Sequence, residues 1–370
     1  MAEYTSNRSA ERFTYRRVSW ATWDEKSTYL NITGGNISYG AYTTLKVSAE
    51  FSYTGTAPDT TDLLRVYYSF TDASGQRSDE HALGTFLVGY DTVQNLPAGN
   101  ALMQSGSVQG FSTLKVLQDR LCGLPLTIPA GTDPIAYAVS IINGCGLRAN
   151  VQQDTAYSLS SPHTFEPDDN YLTVVNWCLT NCPTQYQAAT VDGYGTVQVQ
   201  PYQDPGARTP VWTFRDDEHS IMLPAISEEN EWQTSTNVVR LYYESDTTAM
   251  WASASNDNGS RTSLNRRGGR ETTYYEQVDE VADLADLQAL AVSRLRDRSA
   301  EIERVSLVHA FVPIGSGDAI RIEYADRAWS GTVQNLTIAL APSAQCQTQI
   351  RRAVSAALDV TVAGAVLWTA

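Results

Sequence analysis

Between residues 278 and 340 the hydrophobic period of this chain switches from that of a helix to that of strands, and few architectures accommodate such a switch so late. Val278, Val281, Leu284, Leu287, Leu290, Ala291 and Leu295 recur at the three-to-four spacing of one buried helical face. Asp279, Glu280, Asp283 and Asp286 fall where the N-terminal end of the helix dipole favours negative charge, and Arg294, Arg296 and Arg298 where its C-terminal end favours positive charge. From Arg304 the period is two. Val305, Leu307, His309 and Phe311 share one side of a predicted strand that Pro313 ends. Gly315-Ser316-Gly317-Asp318 then supplies a corner, Ala319–Tyr324 alternates up to a turn around Asp326, and residues 329–340 form a third strand. Strands joined by tight turns after a single helix predict a small antiparallel barrel with a helical insertion.

The upstream chain carries the same mixture. Residues 18–105 read almost wholly as β-structure, with strands at 45–51, 64–70 and 84–88 separated by Gly34-Gly35-Asn36, Gly55, Pro58-Asp59 and Ser74-Gly75. Near Gly106 the composition changes, and residues 107–121 open a mixed α/β region. Asp133-Pro134 predicts a helix start, Asn143-Gly144 its end, and Ile135, Val139 and Ile142 its apolar face. A second helix follows Asp168-Asp169-Asn170, carries Leu172, Val175 and Leu179, and stops at Pro183. Strands at 186–191 and 196–202 flank the turn Asp192-Gly193-Tyr194-Gly195. From Pro205 to Thr262 β-structure returns, clearest at 221–223 and 238–243.

This order predicts a β-rich α+β fold: two small antiparallel β-barrels with inserted α/β segments. The expected division is a first barrel over 1–106, an α/β insertion over 107–204, a β segment over 205–276 that completes the barrels, a helical insertion over 277–304, closing strands over 305–352 and an apolar tail over 353–370.

Composition narrows the function. The chain has 370 residues, enough for two to four domains, and its 42% hydrophobic against 18% charged residues mark an ordered protein. Its 20 tyrosines and 8 tryptophans favour β-structure and large contact surfaces. A net charge of -15 argues against gripping nucleic acid by its phosphates. The same acidity around a channel would let a polyanion slide through. Residues 1–17 are polar, without the apolar core of a signal peptide. The five cysteines are too few and too scattered for a disulfide framework; Cys178 and Cys182 could share a helix face, but no neighbouring Cys or His completes a metal set, so buried thiols are expected.

Chemistry is sparse. None of the four histidines sits in a zinc or nucleophile pattern. Asp216-Asp217-Glu218-His219 is the richest polar cluster, and it falls between strands, as a solvated turn would. Asn256-Asp257-Asn258-Gly259 fails as a calcium loop because Ala254 occupies the place of the first acidic ligand. Gly193-Tyr194-Gly195 lacks the rest of a dinucleotide fingerprint. No catalytic, cofactor or metal residue is therefore assigned. Two features remain as interface candidates. One is the basic run Arg266-Arg267-Gly268-Gly269-Arg270, a solvated loop whose Arg266, Arg267 and Arg270 could dock an acidic neighbour or a phosphate. The other is the apolar tail ending in Val366, Leu367 and Trp368, expected to be buried in a subunit contact; it is short for a membrane span and carries Asp359.

Several fragments, taken in order, carry a resemblance. They are Leu63-Leu64-Arg65-Val66-Tyr67-Tyr68 with Gly84-Thr85-Phe86, then Thr127-Ile128-Pro129-Ala130-Gly131-Thr132, and then Leu172 to Leu179 ahead of Val191-Asp192-Gly193. Asn237-Val238-Val239, Ser255-Asn256-Asp257-Asn258 and Gly317-Asp318 with Trp329-Ser330-Gly331 follow. Over most of its length the chain resembles the hub proteins of bacteriophage tails and baseplates, related in fold to contractile-tail hubs and to the base of type VI secretion spikes. The resemblance implies two barrels per subunit and a homotrimer whose six similar barrels seat on a hexameric tail tube. It implies a non-enzymatic virion component at the tail tip, assembled in the host cytoplasm without a cofactor. Its partners would be the tail tube, distal tail, tape-measure and tip or fibre proteins, with DNA crossing the lumen without specific binding and without membrane contact. Two other readings fit the composition: a carbohydrate-binding or glycoside-hydrolysing tail protein using Asp216, Asp217 and Glu218, and a hexameric distal tail adaptor.

Overall fold

A computed structural model describes residues 8–72, 74–98, 101–152, 157–181, 186–203, 207–231, 235–245, 247–257, 261–279, 281–299, 301–342, 345–354 and 359–369. Glu280, Cys182, Pro183, Pro205, Asn258, Gly259 and residues 355–358 of the expected tail lie outside the described residues. The chain forms two compact units, one drawn from Met1–Ile226 and Leu307–Gln349, the other from Ser227–Ser306 and Ile350–Ala370.

In chain order the first strands are β1 (Arg8–Val18), β2 (Glu25–Tyr29), β3 (Ile32–Gly40), β4 (Val47–Thr54), β5 (Leu63–Asp72), β6 (His81–Ala98) and β7 (Ala101–Ser112). The α/β lobe follows: α1 (Leu114–Asp119), β8 (Leu126–Ile128), α2 (Pro134–Gly144), β9 (Ala149–Val151), β10 (His163–Phe165), α3 (Tyr171–Thr180), β11 (Thr190–Val191) and β12 (Val197–Val199). Then come β13 (Trp212–Arg215), β14 (Met222–Glu231), β15 (Val238–Glu244), β16 (Thr248–Asn256), β17 (Thr273–Val278) and α4 (Leu284–Ser299). The chain closes with β18 (Glu301–Ala310), β19 (Ala319–Tyr324), β20 (Arg327–Ala339), β21 (Gln345–Val354) and β22 (Val360–Thr369).

The main sheet has 13 strands, in the order β14-β18-β21-β20-β3-β4-β7-β6-β5-β1-β2, with β19 pairing β20 and β13 pairing β19. Among the described residues no strand path closes on itself, so the sheet is β-rich as expected without a closed barrel. β4 alternates strictly between buried and exposed residues, sending Val47, Ala49, Phe51 and Tyr53 inward. β5 is buried on both faces from Leu63 to Phe70, as a central strand must be. Phe51 meets Tyr15 and Phe86 edge-on at 6.3 and 5.6 Å. Gly110 makes that cluster possible, because a Cβ there would stand 2.8 Å from the Phe51 ring.

The α/β lobe has its own core, where Leu114, Leu117, Ile135, Ile142, Leu172, Val175 and Leu179 meet. Both helix starts predicted from the sequence are capped as expected. Asp133 accepts from the backbone N–H of Ile135 and Ala136 at 2.9 and 3.2 Å, and Asn170 from that of Thr173 at 2.9 Å. The Asp192–Thr196 turn fastens the lobe to the sheet: Thr85 donates to the Gly193 carbonyl at 3.0 Å, Thr113 to that of Gly195 at 2.9 Å and Arg65 to that of Tyr194 at 3.2 Å.

In the second unit β17, β15, β16 and β22 form a four-stranded sheet in that order. Helix α4 covers it with Leu287, Ala291 and Leu295, packed on Val239, Leu241, Met250, Ala252 and Ala254.

Three expectations need correction. The late helix starts at Leu284, where the Asp283 side chain accepts from the Asp286 N–H at 2.9 Å; Val278 instead ends β17, which pairs in parallel with β15. Val278 and Val281 pack on the same core as the helix, which is why they extend its apparent period. The strand expected at 84–88 runs from His81 to Ala98, and β7 continues to Ser112, past the expected change at Gly106. Their mixed small and uncharged polar residues show no period to read.

Candidate interface

The apolar C-terminal segment becomes a strand. β22 pairs antiparallel with β16, setting Val362 opposite Ala254, Val366 opposite Met250 and Trp368 opposite Ala249, with a register shift at Ala249/Met250. It is the outermost strand of its sheet, so one side of its backbone faces no other strand among the described residues. Helix α4 approaches it closely at Gly364, where a Cβ would lie 3.1 Å from Gln288 and 3.2 Å from Leu284. Val366, Leu367 and Trp368 are 46%, 53% and 42% exposed within this chain. An edge strand with this much uncovered apolar surface and no charge within it is a template for another chain.

The basic run divides. Arg266 and Arg270 are exposed, whereas Arg267 is buried, and its Nη1 donates to the Ser235 carbonyl at 3.0 Å and to the Thr272 hydroxyl at 2.9 Å. Burial, aided by the nearby Arg270 charge, pushes the Arg267 guanidinium below its usual pKa. Asn237, fully buried, donates to the Arg270 carbonyl at 2.9 Å and accepts from the Thr272 N–H at 2.7 Å. The loop is thus an ordered turn that uses Arg267 internally and presents Arg266 and Arg270. Asn237 entered the sequence reading only as the start of the Asn237-Val238-Val239 fragment.

Asp216, Asp217, Glu218 and His219 all lie exposed between β13 and β14, and Asp217 accepts from the His219 N–H at 2.9 Å as in a simple Asx turn. The Asp216 N–H donates to the Glu323 carbonyl of β19 at 3.0 Å, and His219 Nε2 lies 3.6 Å from the Glu218 carboxylate. Among the described residues no group of three or more His, Cys, Asp or Glu side chains is placed to hold a metal. Cys145, Cys178 and Cys346 are buried free thiols, and desolvation pushes Cys346 up to about 12. No helix among the described residues is long and apolar enough to cross a membrane.

One cluster escaped the sequence reading. Arg8 donates to Glu11 at 3.1 Å, to the Tyr68 hydroxyl at 3.0 Å and to the Phe311 carbonyl at 2.6 Å, and Tyr68 donates to Glu11 at 2.7 Å. Phe311 packs on Tyr68 with ring centroids 4.1 Å apart. These partners lie up to 303 residues apart, beyond any local pattern. The cluster locks β1 to the segment after β18, and each of its polar atoms named here is satisfied by another.

No family model matches this sequence, and no curated protein matches it either. Solved structures do match its fold. The tail protein from Neisseria meningitidis MC58 superposes with a TM-score of 0.64 at 13% identity, covering 92% of this chain and 96% of that one. The fold is that of phage tail proteins. The 43 kDa tail protein of prophage MuSo2 from Shewanella oneidensis gives a TM-score of 0.58 at 10% identity, over 91% of this chain and 97% of that one. Prophage tail protein gp18 from Listeria monocytogenes EGD-e gives 0.52 at 12% identity, over 92% and 95%. The tail-protein fold thus extends nearly end to end in both partners of each comparison.

Proposed function

We propose that this chain is a structural component of a phage-type tail, specifically a homotrimeric hub at the distal end that joins a hexameric tail tube to threefold tip components. The observation that carries the reading is the shared fold with the Neisseria tail protein over 92% of this chain. Two compact units support the idea of two ring-forming domains per subunit; in the two-barrel arrangement expected from the sequence residues 1–106 begin the first barrel and 305–352 close the second, although 307–349 fall in the same unit as 1–106, where β20 pairs with β3. The exposed apolar edge at Val366, Leu367 and Trp368 supports a subunit contact, with Arg266 and Arg270 as separate charged contacts in the same proposal. A net charge of -15 supports a lumen through which DNA or a tape-measure protein passes without sticking. In this reading the protein works in the virion, after assembly in the host cytoplasm with tube, distal tail and tip or fibre proteins, and catalyses nothing.

Electron microscopy of tails carrying a label at the C-terminus tests this directly. Threefold density at the distal tip is expected; sixfold density would assign the chain to a distal adaptor ring, and no label on the tail would end the proposal. Replacing Asp216, Asp217 and Glu218 by Asn, Asn and Gln should leave tail assembly intact, whereas loss of polysaccharide cleavage in that variant would favour the glycosidase reading.

A further inference from the structure

The β6–β7 hairpin outruns the strands on either side of it. β5 follows β6 only to the pair Leu63↔Leu87, while β6 continues to Ala98. β4 follows β7 as far as Thr54↔Ser105, and beyond that point the ribbon is two-stranded. On the outer side of β6, residues 88–98 therefore present a backbone edge that no strand covers among the described residues. At about 3.3 Å per residue this edge is roughly 35 Å long. A register shift at Gly89/Asp91 marks its base, where such a bulge re-aims a strand. Thr92, Val93, Gln94 and Asn95 are all exposed.

The other free edges of this sheet are guarded. β2 is five residues long and carries Glu25 and Lys26; β14 carries Pro224, Glu228 and Glu229; β13 has four residues and ends in Arg215. On β6, by contrast, Asp91, at the base, is the one charged residue of the 88–98 edge, and residues 92–114 contain none. Pro97 removes a single backbone donor and leaves 88–96 open. A two-stranded ribbon is marginal in water by itself, and a long unguarded edge aggregates unless something covers it. At a net charge of -15, copies of this chain repel one another, so a second copy approaches with least repulsion along the uncharged stretch 92–98.

We propose that the open β6 edge, residues 88–96, is an assembly edge that takes up a strand from a second copy of this chain. Main-chain hydrogen bonds supply the affinity, and the absence of charge beyond Asp91 lets two acidic subunits meet there. The proposal rests on the self-association in the reading above, and one experiment separates the two. Native mass spectrometry and sedimentation would be run on the intact chain and on two double variants, Val93→Glu/Asn95→Glu and Thr92→Glu/Gln94→Glu, which load opposite faces of the exposed ribbon with charge. Each should raise the concentration at which the oligomer dissociates by about tenfold or more, because like charges are costly at an interface, with an unchanged circular dichroism spectrum. Amides of 88–96 should also exchange slowly in the wild-type oligomer and rapidly in the variants. An oligomer that survives both substitutions, with fast exchange along 88–96, overturns the edge and leaves the hub standing. A wild-type chain that stays monomeric at high concentration overturns both.

Discussion

His309 makes the stability of the first unit sensitive to acid, and the structure sets the size of the effect. The residue is 1% exposed. Its Nδ1 lies 2.6 Å from the Ala310 carbonyl, which can only accept, so Nδ1 carries the proton; Nε2, 2.7 Å from the Thr348 hydroxyl, accepts. The Phe214 ring packs 4.5 Å away, and the charge of Arg8 also disfavours a cation. Burial lowers the imidazole from 6.5 to about 4, against a smaller upward pull from the Ala310 hydrogen bond. The unfolded ring thus takes a proton near pH 6.5 and the folded ring only near pH 4, so the unfolded chain binds more protons between them. The stabilisation is complete above pH 6.5 and is lost as pH falls towards 4, a difference of about 3 kcal/mol. Urea titrations followed by tryptophan fluorescence from pH 7.5 to 4 would measure it in wild type and in His309→Gln. The variant should start less stable, having lost the ring packing, yet decline with acid by about 3 kcal/mol less than wild type. Half-buried Asp318, whose carboxyl is raised by desolvation and works in the opposite direction, is common to both proteins and cancels. Parallel pH curves would refute the reasoning.

Other expectations concern the lobe, the basic turn and the exposed edge. Asp133→Ala removes the acceptor for two helix-start N–H groups and should cost about 1 kcal/mol, read as a lower melting temperature with unchanged helix content. Arg267→Met strips the buried Ser235 carbonyl of a charged donor and should destabilise the second unit by about 2 kcal/mol, whereas Arg266→Met should fall within about 0.5 kcal/mol of wild type; hydrogen exchange across residues 235–278 reads both. Trp368→Ser should leave the melting temperature of dilute protein unchanged and weaken self-association in sedimentation, and unaltered assembly would remove β22 from the interface.

What the sequence made legible is what local chemistry determines. The caps at Asp133 and Asn170, the buried alternation through Leu307 and His309, and the corner at Gly317, whose φ of +89° an L side chain resists, each rest on a few neighbouring residues and each stands in the structure. The failures share a different cause. Val278 imitates a helical residue because two elements deliver side chains to one core at a spacing that happens to suit a helix. Arg267 reads as solvated because its acceptor at Ser235 lies 32 residues away. The β6–β7 ribbon shows no period because the exposed residues 92–95 bury neither face, and burial of one face is what writes a period into a sequence. The C-terminal run was legible as apolar but not as an edge, since only the strand order reveals that β22 is outermost among the described strands. Both misread strands are edges that no strand covers among the described residues. A long edge with little charge is one that single chains usually guard, so the same failures of reading support the assembly proposed above.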